Sequence, residues 1–296
     1  MTFRPVPPLA SSGLAAVASE IWTIEASKCV CYRPPAQPRY PYTHRAIVIR
    51  LQGRELFVLS PIQLTPEIRT AVDRLGRVAY LVSPNNLHHL YLGDWSQAYP
   101  AAKIYGSPGL AAKRKDLSFE TIIETATPEP EWAGQIDQCI FGTGRGFFDE
   151  VVFFHRGSRT LIFTDTIMDF DSEVFSPLAK VTTRLNQMYR HTPRGVQLAH
   201  LFDRKALHQA LATIRGWDAE HVVVAHSPWL CVDGAAAVSV FLDQAFDWLA
   251  PKPAAVEAIA GMVRLLVLFG AVLPVHVVVV LFADILYPRL AASPKQ

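Results

Sequence analysis

Two histidines stand side by side in the polar stretch Ser83-Pro84-Asn85-Asn86-Leu87-His88-His89-Leu90-Tyr91-Leu92-Gly93-Asp94-Trp95. Imidazole titrates near neutral pH and is the commonest metal ligand, so a pair invites a reading as metal or proton chemistry. Two other residues carry compatible groups. Asp165 closes the run Thr160 to Thr164, and His226 closes the run His221 to Ala225. Imidazoles with a carboxylate suit zinc, iron or manganese. Each residue also has a plainer reading: a solvated or capping His in the loop, a turn-capping Asp165 and a satisfied core histidine at 226. What unites them is position, since each follows a short apolar run with the length and bounds of a buried strand. Strand ends on one edge of an α/β sheet converge, and ligands bind at that edge.

The elements that must position these residues follow from local patterns. Ile21 to Val30 reads as a first strand, and Pro34 to Pro41 as a loop. His44 to Leu51 and Glu55 to Leu59, separated by Gln52-Gly53-Arg54, read as a hairpin. Thr65 caps a helix with Pro66 at its first position and Glu67 at its positive end, and Gly76 stops it. Val78 to Val82 is the strand feeding the double-histidine loop. Ile104-Tyr105 is a short strand, and Pro108 to Lys115 a short helix with a basic end. Strands follow at Ile136 to Phe141, Glu150 to His155 and Thr160 to Thr164. Gly142-Thr143-Gly144-Arg145-Gly146 reads as a turn, not a phosphate cradle, because a strand follows it. Lys205 to Ile214 has a helical pattern. Asp233 caps a last helix through Leu249, with Val238, Phe241, Leu242, Phe246 and Leu249 on one face.

The 296 residues allow one large α/β domain or two small ones, and a 50% hydrophobic content allows a sizeable core. A net charge of +2 without a dense basic stripe argues against a nucleic-acid partner. Cys29-Val30-Cys31, two of the four cysteines, is too tight for a zinc knuckle and lacks a matching pair, so it reads as a reduced strand pair and the domain as cytoplasmic. Residues 1–20 hold a small-residue run broken by Ser11-Ser12-Gly13. That break argues against a signal peptide and for a flexible leader.

The order of hairpin, strand, His-rich loop, Gly loop, a strand pair ending in Thr-Asp and a late strand ending in His resembles the metallo-β-lactamase fold over residues 21–250. In detail the chain resembles the uncharacterised domain-of-unknown-function family 4336. Ser60-Pro61-Ile62-Gln63-Leu64, Tyr80 to Leu90, Asp149 to His155 and Thr164-Asp165 carry the likeness. The resemblance implies an α/β fold of the αββα sandwich type. It also implies departures. The superfamily motif His-x-His-x-Asp-His falls on Pro84, Asn86, His88 and His89, so its first two imidazoles are lost. The histidine of a later Gly-His-Thr turn falls near Phe147 and is absent. Asp165 and His226 keep the bridging Asp and the final His. By this resemblance one metal site is lost, and His88, His89, Asp165 and His226 form the survivor. Four ligands on one zinc would close a tetrahedron, whereas catalysis needs an open position. Asn86 and Glu150 are then candidates for an outer role, orienting a water or a ligand histidine.

The resemblance implies a metal-dependent hydrolase of unspecified small-molecule substrate, with Asp165 and His226 at its catalytic centre and one divalent metal: zinc, or else iron or manganese. Two alternatives stand beside it. One is a non-catalytic module on a decayed site that binds no metal; the other is a mononuclear-iron oxidoreductase.

After Pro251 the composition changes. Residues 265–283 carry no Asp, Glu, Lys or Arg, and as a helix would be roughly 28 Å long, near the thickness of a bilayer core. Pro274 would kink it. The reading is a hydrophobic C-terminal extension over residues 251–296, with a transmembrane helix at 265–283 that anchors the domain to a membrane. A buried or dimer-core helix is the alternative.

Overall fold

The computed structural model describes residues 3–6, 13–26, 30–32, 40–42, 44–144, 148–170, 175–200 and 203–250. The chain opens with strands β1 (Phe3–Pro5), β2 (Leu14–Ala18) and β3 (Ile21–Glu25), then the small pair β4 (Val30–Tyr32) and β5 (Tyr40–Tyr42). Next come β6 (Arg45–Arg50), β7 (Glu55–Leu59), α1 (Pro66–Leu75), β8 (Arg77–Ser83), α2 (Leu92–Ala98), β9 (Lys103–Gly106), α3 (Leu110–Lys113) and β10 (Thr121–Ile122). The second half holds β11 (Ile136–Phe141), β12 (Glu150–His155), β13 (Thr160–Phe163), β14 (Met168–Asp169), α4 (Pro177–Leu185) and β15 (Tyr189–His191). It continues with α5 (Arg194–Ala199), α6 (Arg204–Gly216), β16 (His221–Val224), β17 (Trp229–Asp233) and α7 (Ala235–Ala245).

These strands form two large sheets. One has the order β10-β9-β8-β7-β6-β3-β2 and the other β1-β17-β16-β13-β12-β11. The central strands read as unbroken apolar runs because both of their faces are buried. In β6, Ile47 and Ile49 face the opposite sheet, while Ala46 and Val48 face outward onto α1 and α2. In β12, Val151 and Phe153 face inward, while Val152 and Phe154 face the layer of α6 and α7. Period-two alternation thus feeds three cores, and the result is a helix–sheet–sheet–helix sandwich.

The hairpin forms as expected, with Ile47 opposite Leu59, and Gly53 (φ +74°) and Arg54 (φ +61°) are both left-handed in its turn. Thr65 Oγ1 accepts from the Ile68 amide and caps α1 as expected. Gly76 ends α1 for a steric reason, since a Cβ there would lie 2.2 Å from the Arg54 carbonyl oxygen.

Four expectations need correction. The first strand stops at Glu25, and Val30 belongs to the separate β4. Residues 1–20 are not merely a leader: β1 pairs with β17, and β2 pairs with β3. Leu14 to Ala18 is built of small side chains, yet its alternation buries Ala15 and Val17. Third, Asp233 does not cap the last helix. It ends β17, a strand hidden in sequence by its nearness to the helix, and α7 starts after Gly234. Fourth, α7 ends at Ala245, and Asp247–Leu249 continues as a 3-10 turn. Among the described residues no helix is long and apolar enough to cross a membrane. The expected span 265–283 and Cys29 lie outside the described residues.

Asp233 holds β1 instead of a helix. Arg4 donates through Nε and Nη2 to its two oxygens at 2.8 and 2.7 Å, and His221 Nδ1 lies 2.7 Å away. Hydrogen bonding to Arg4 lowers the Asp233 carboxyl to about 2. A folded-state value below the unfolded one gives stability that is complete above about pH 4 and lost as the pH falls towards 2. Arg4→Met should therefore cost ~1 kcal/mol near neutral pH, after allowance for solvent screening. The difference from wild type should shrink as the pH falls towards 2 and vanish only below it, as followed by urea unfolding across that window.

Candidate metal centre

Strand direction explains why distant residues meet. Strands β7, β8 and β9 run parallel, as do β13 and β16, so their carboxyl ends share one edge of the sandwich. Strands β6 and β12 run antiparallel to their neighbours and bring their amino ends to that edge. In the strand register Phe153 faces Ile162, and Ile162 lies beside Val223. Carried three residues on, that register sets Glu150, Asp165 and His226 side by side.

His88, Asp165 and His226 converge. His88 Nε2 lies 3.1 Å from Asp165 Oδ2, and His226 Nε2 lies 3.3 Å from Asp165 Oδ1. The two Nε2 atoms are 3.2 Å apart. All three residues are buried. Burial alone would raise the Asp165 carboxyl, but the facing His88 and His226 hold it well below the usual carboxylate range. Two imidazole nitrogens and a carboxylate so close need a proton or a cation between them. A tetrahedron with bonds of 2.0–2.1 Å has edges of about 3.3 Å, so the spacing suits a zinc-sized ion.

His44, read from sequence only as the start of a strand, is the fourth member. One nitrogen each from His44, His88 and His226 lies within 4.8 Å of the others. Its ring stacks on His88 at 27° with centroids 4.8 Å apart, and its centroid is 5.3 Å from that of His226. Burial first, then the neighbouring His88 and His226, drive its imidazole well below the usual histidine range. The signal available in sequence was its place just before a strand antiparallel to β7, which assigns it to the same edge.

His89 is not in the cluster, contrary to expectation. Successive residues of a turn diverge, and its Nδ1 lies 3.1 Å from Arg114 Nη1, while its carbonyl accepts from the same nitrogen at 2.6 Å. Burial, with Lys113 and Arg114 nearby, pushes its imidazole down to about 3.

Hydrogen bonds around the cluster fix its members. Ser60 Oγ lies 2.5 Å from His88 Nδ1, which leaves Nε2 to face Asp165. Ser60 holds a left-handed backbone (φ 56°), a strained state for a residue with a side chain, at the place where β7 enters the site. The outer role expected of Asn86 belongs to Asn85. Its Nδ2 donates to Asp165 Oδ2 at 2.8 Å and Thr164 Oγ1 at 2.9 Å, and its Oδ1 accepts from the amides of Leu87 and His88. Asn86 instead donates to the Pro108 carbonyl. Glu150 meets the backbone of the site. Its carboxylate accepts from the backbone amides of Thr164, Asp165 and Thr166 at 2.7, 2.6 and 2.8 Å, and so shapes the turn that aims Asp165. Burial and the nearby Asp165 raise its carboxyl despite those donors.

Arg45 joins the sheets behind the cluster. Its guanidinium is wholly buried, 2.8 Å from Glu25 Oε1, and donates to the carbonyls of Ser227 and Trp229. The contact with Glu25 is an ion pair off the hydrogen-bond axis, since neither Nε nor Oε1 has a directed partner.

The family model described as Domain of unknown function (DUF4336) matches residues 19–226. No curated protein matches the chain by sequence. Among solved structures, rubredoxin oxygen:oxidoreductase from the anaerobe Desulfovibrio gigas aligns with a TM-score of 0.59 at 15% identity, covering 81% of this chain and 62% of that one. The DIM-1 metallo-β-lactamase exposed to ceftazidime aligns at 0.50 and 15% identity, covering 82% and 98%. The mono-zinc form of the metallo-β-lactamase FIM-1 from Pseudomonas aeruginosa aligns at 0.50 and 12% identity, covering 80% and 96%. At these identities the likeness is one of fold, and the fold is that of the metallo-β-lactamases.

Arg45→Met should destabilise the protein by about 3–5 kcal/mol, because it leaves Glu25 buried without its partner. The double variant Arg45→Met, Glu25→Gln should recover part of that loss in chemical denaturation. Equal midpoints for wild type and the single variant would show that the pair is not under load.

Proposed function

From a chain that belongs to the DUF4336 family of domains of unknown function, and a site with two imidazoles and a carboxylate on one edge of a metallo-β-lactamase fold, we propose a mononuclear metal-dependent hydrolase. The observation that carries the reading is the set of 3.1–3.3 Å separations among His88, Asp165 and His226. These three residues would hold one divalent ion, and a zinc-sized ion fits the spacing. When bound, such an ion supplies Lewis acidity and a water of lowered pKa.

The protein's own residues have separate tasks. Asp165 and His226 lie at the catalytic centre, each two residues beyond the end of a strand held in register with the other. Ser60 fixes the ring of His88, and Asn85 orients Asp165. His44 is the group placed to close a fourth position or to leave it open to substrate. The substrate is a small molecule whose class the site leaves open.

A second reading has a specific observation behind it. Two histidines and one carboxylate are also the ligand set of mononuclear non-haem iron, which supports an iron oxidoreductase. A non-catalytic module is the remaining alternative. The run 265–283 is proposed as a membrane anchor, supported by its uncharged composition and its length. A cytoplasmic domain agrees with the free, buried Cys139 and Cys231, whose thiols burial raises to about 11 and about 12.

Elemental analysis of the purified full chain should give one metal per chain: zinc supports the hydrolase, iron the oxidoreductase. Two metals, or none after reconstitution, would sink the mononuclear reading. Asp165→Asn should abolish retention, Ser60→Ala should weaken affinity by about 10–100-fold, and His89→Ala should leave stoichiometry unchanged. For the anchor, detergent-free fractionation should send the full chain to membranes and a chain truncated after Pro251 to the supernatant. Equal solubility would reject it.

A further inference from the structure

One surface next to the site has no role in the metal reading. Helix α4 packs inward through Ala179, which joins Phe170 and Phe175 in a small core, and Phe170 meets His226 edge-on with centroids 6.2 Å apart. Its outer face is apolar. Leu178, Val181 and Leu185, spaced i, i+3 and i+7, are 60, 54 and 65% exposed. They are three of only five large hydrophobic side chains so exposed among the described residues. Scattered single exposures need no explanation, whereas a stripe along one helix face does.

The charged residues from Ser176 to His200 are all of one sign. From Ser176 to His200 the sequence has no Asp or Glu, but it has Lys180, Arg184, Arg190 and Arg194. Arg190 is engaged with the buried Asp169. Lys180 and Arg184 flank the stripe on α4. Arg194 is brought to the end of α4 by its amide, which donates to the Asn186 carbonyl at 2.9 Å. Lys180, Arg184 and Arg194 make no ion pair among the described residues.

We propose that α4 is an interfacial helix that docks the domain on an anionic phospholipid bilayer. The aliphatic stripe would enter the headgroup boundary, and the flanking cations would meet lipid phosphates and carboxylates. Other occupants fit less well. A two-fold contact between copies would set Lys180, Arg184 and Arg194 against their own equivalents. Three side chains also fall far short of the ~800 Å² per partner of a stable interface. The chain's own residues 265–283 could cover the aliphatics, but they carry no negative charge for the cations. The inference goes beyond the metal reading and stands whether or not a metal is bound. If it holds, the site edge beside His226 faces the membrane, and substrates arrive by way of the lipid surface.

The test uses the full chain with Val181→Cys carrying an environment-sensitive nitrobenzoxadiazole label, in a Cys29→Ser, Cys31→Ser background. A label at 181 reports on α4 even if residues 265–283 hold the chain on every vesicle. Vesicles of phosphatidylcholine are compared with vesicles in which about a third of the lipid is phosphatidylserine. The expected result is a blue shift and an intensity rise of about twofold on the anionic vesicles only. Lys180→Glu with Arg184→Glu should raise the lipid concentration needed for half the change by at least about tenfold. An unchanged spectrum on anionic vesicles overturns the proposal, as does an equal response to neutral ones. A buried label without lipid also overturns it: loss of that burial on dilution would reveal a second copy, and loss on truncation after Pro251 would reveal the tail.

Discussion

A guanidinium with no exposure to solvent lies between the two sheets, and the cluster depends on it. Arg45 starts β6 in one sheet, next to His44, and donates to carbonyls of Ser227 and Trp229 beyond β16 in the other. Its charge is balanced by Glu25 on β3, the strand beside β6. Burial acts against both ions, lowering Arg45 and raising Glu25 from their ordinary values. Such a pair is a poor source of net stability, but it is selective about geometry. Only an arrangement that presents the Ser227 and Trp229 carbonyls to β6 satisfies the guanidinium. That same arrangement sets His226 against His44.

A second tie fixes the height of Asp165. Glu150 starts β12 and reaches over the end of β13 to collect three successive amides. Those amides have no strand partner once β13 ends, so the carboxylate replaces a neighbouring strand with one rigid side chain. The two buried carboxylates then divide their tasks. Glu150 is held by backbone donors and serves the turn, while Asp165 faces the imidazoles. Gathering one negative group and three imidazoles at a dry edge calls for tight positioning, and the strain at Ser60 is part of its cost.

The sandwich was legible because its strands are buried on both faces and interrupted by clear turn residues. The runs at 136–141 and 150–155 match β11 and β12 to the residue. The capped helix at Thr65 was equally plain. The meeting of His88, Asp165 and His226 was also legible, because strand ends on a common edge must converge. What failed was local. His88 and His89 are chemically alike and adjacent, and only the turn geometry and Arg114 separate them. Asn85 and Asn86 exchange roles for the same reason. His44 was hidden because a residue before a strand gains meaning only from the direction of its neighbour. β2 and β17 were hidden differently: one is made of small residues, and the other runs almost directly into a helix.

Pro84 and Asn86 hold the framework together. Pro84 gives its carbonyl to the Val151 amide at 2.8 Å, which links the end of β8 to β12 across the sandwich. Asn86 donates to Pro108 and accepts Lys113 Nζ at its carbonyl, which ties the same loop to α3. The loop is thereby anchored ahead of His88, and only one of its two histidines turns inward. A single substitution of Pro84 by histidine would therefore not build a second site. The neighbouring Asn86 would still point towards Pro108, and His89 would still be held by Arg114. The imidazole that makes up the number, His44, comes from the opposite side of the site, where Arg45 already required the backbone to be.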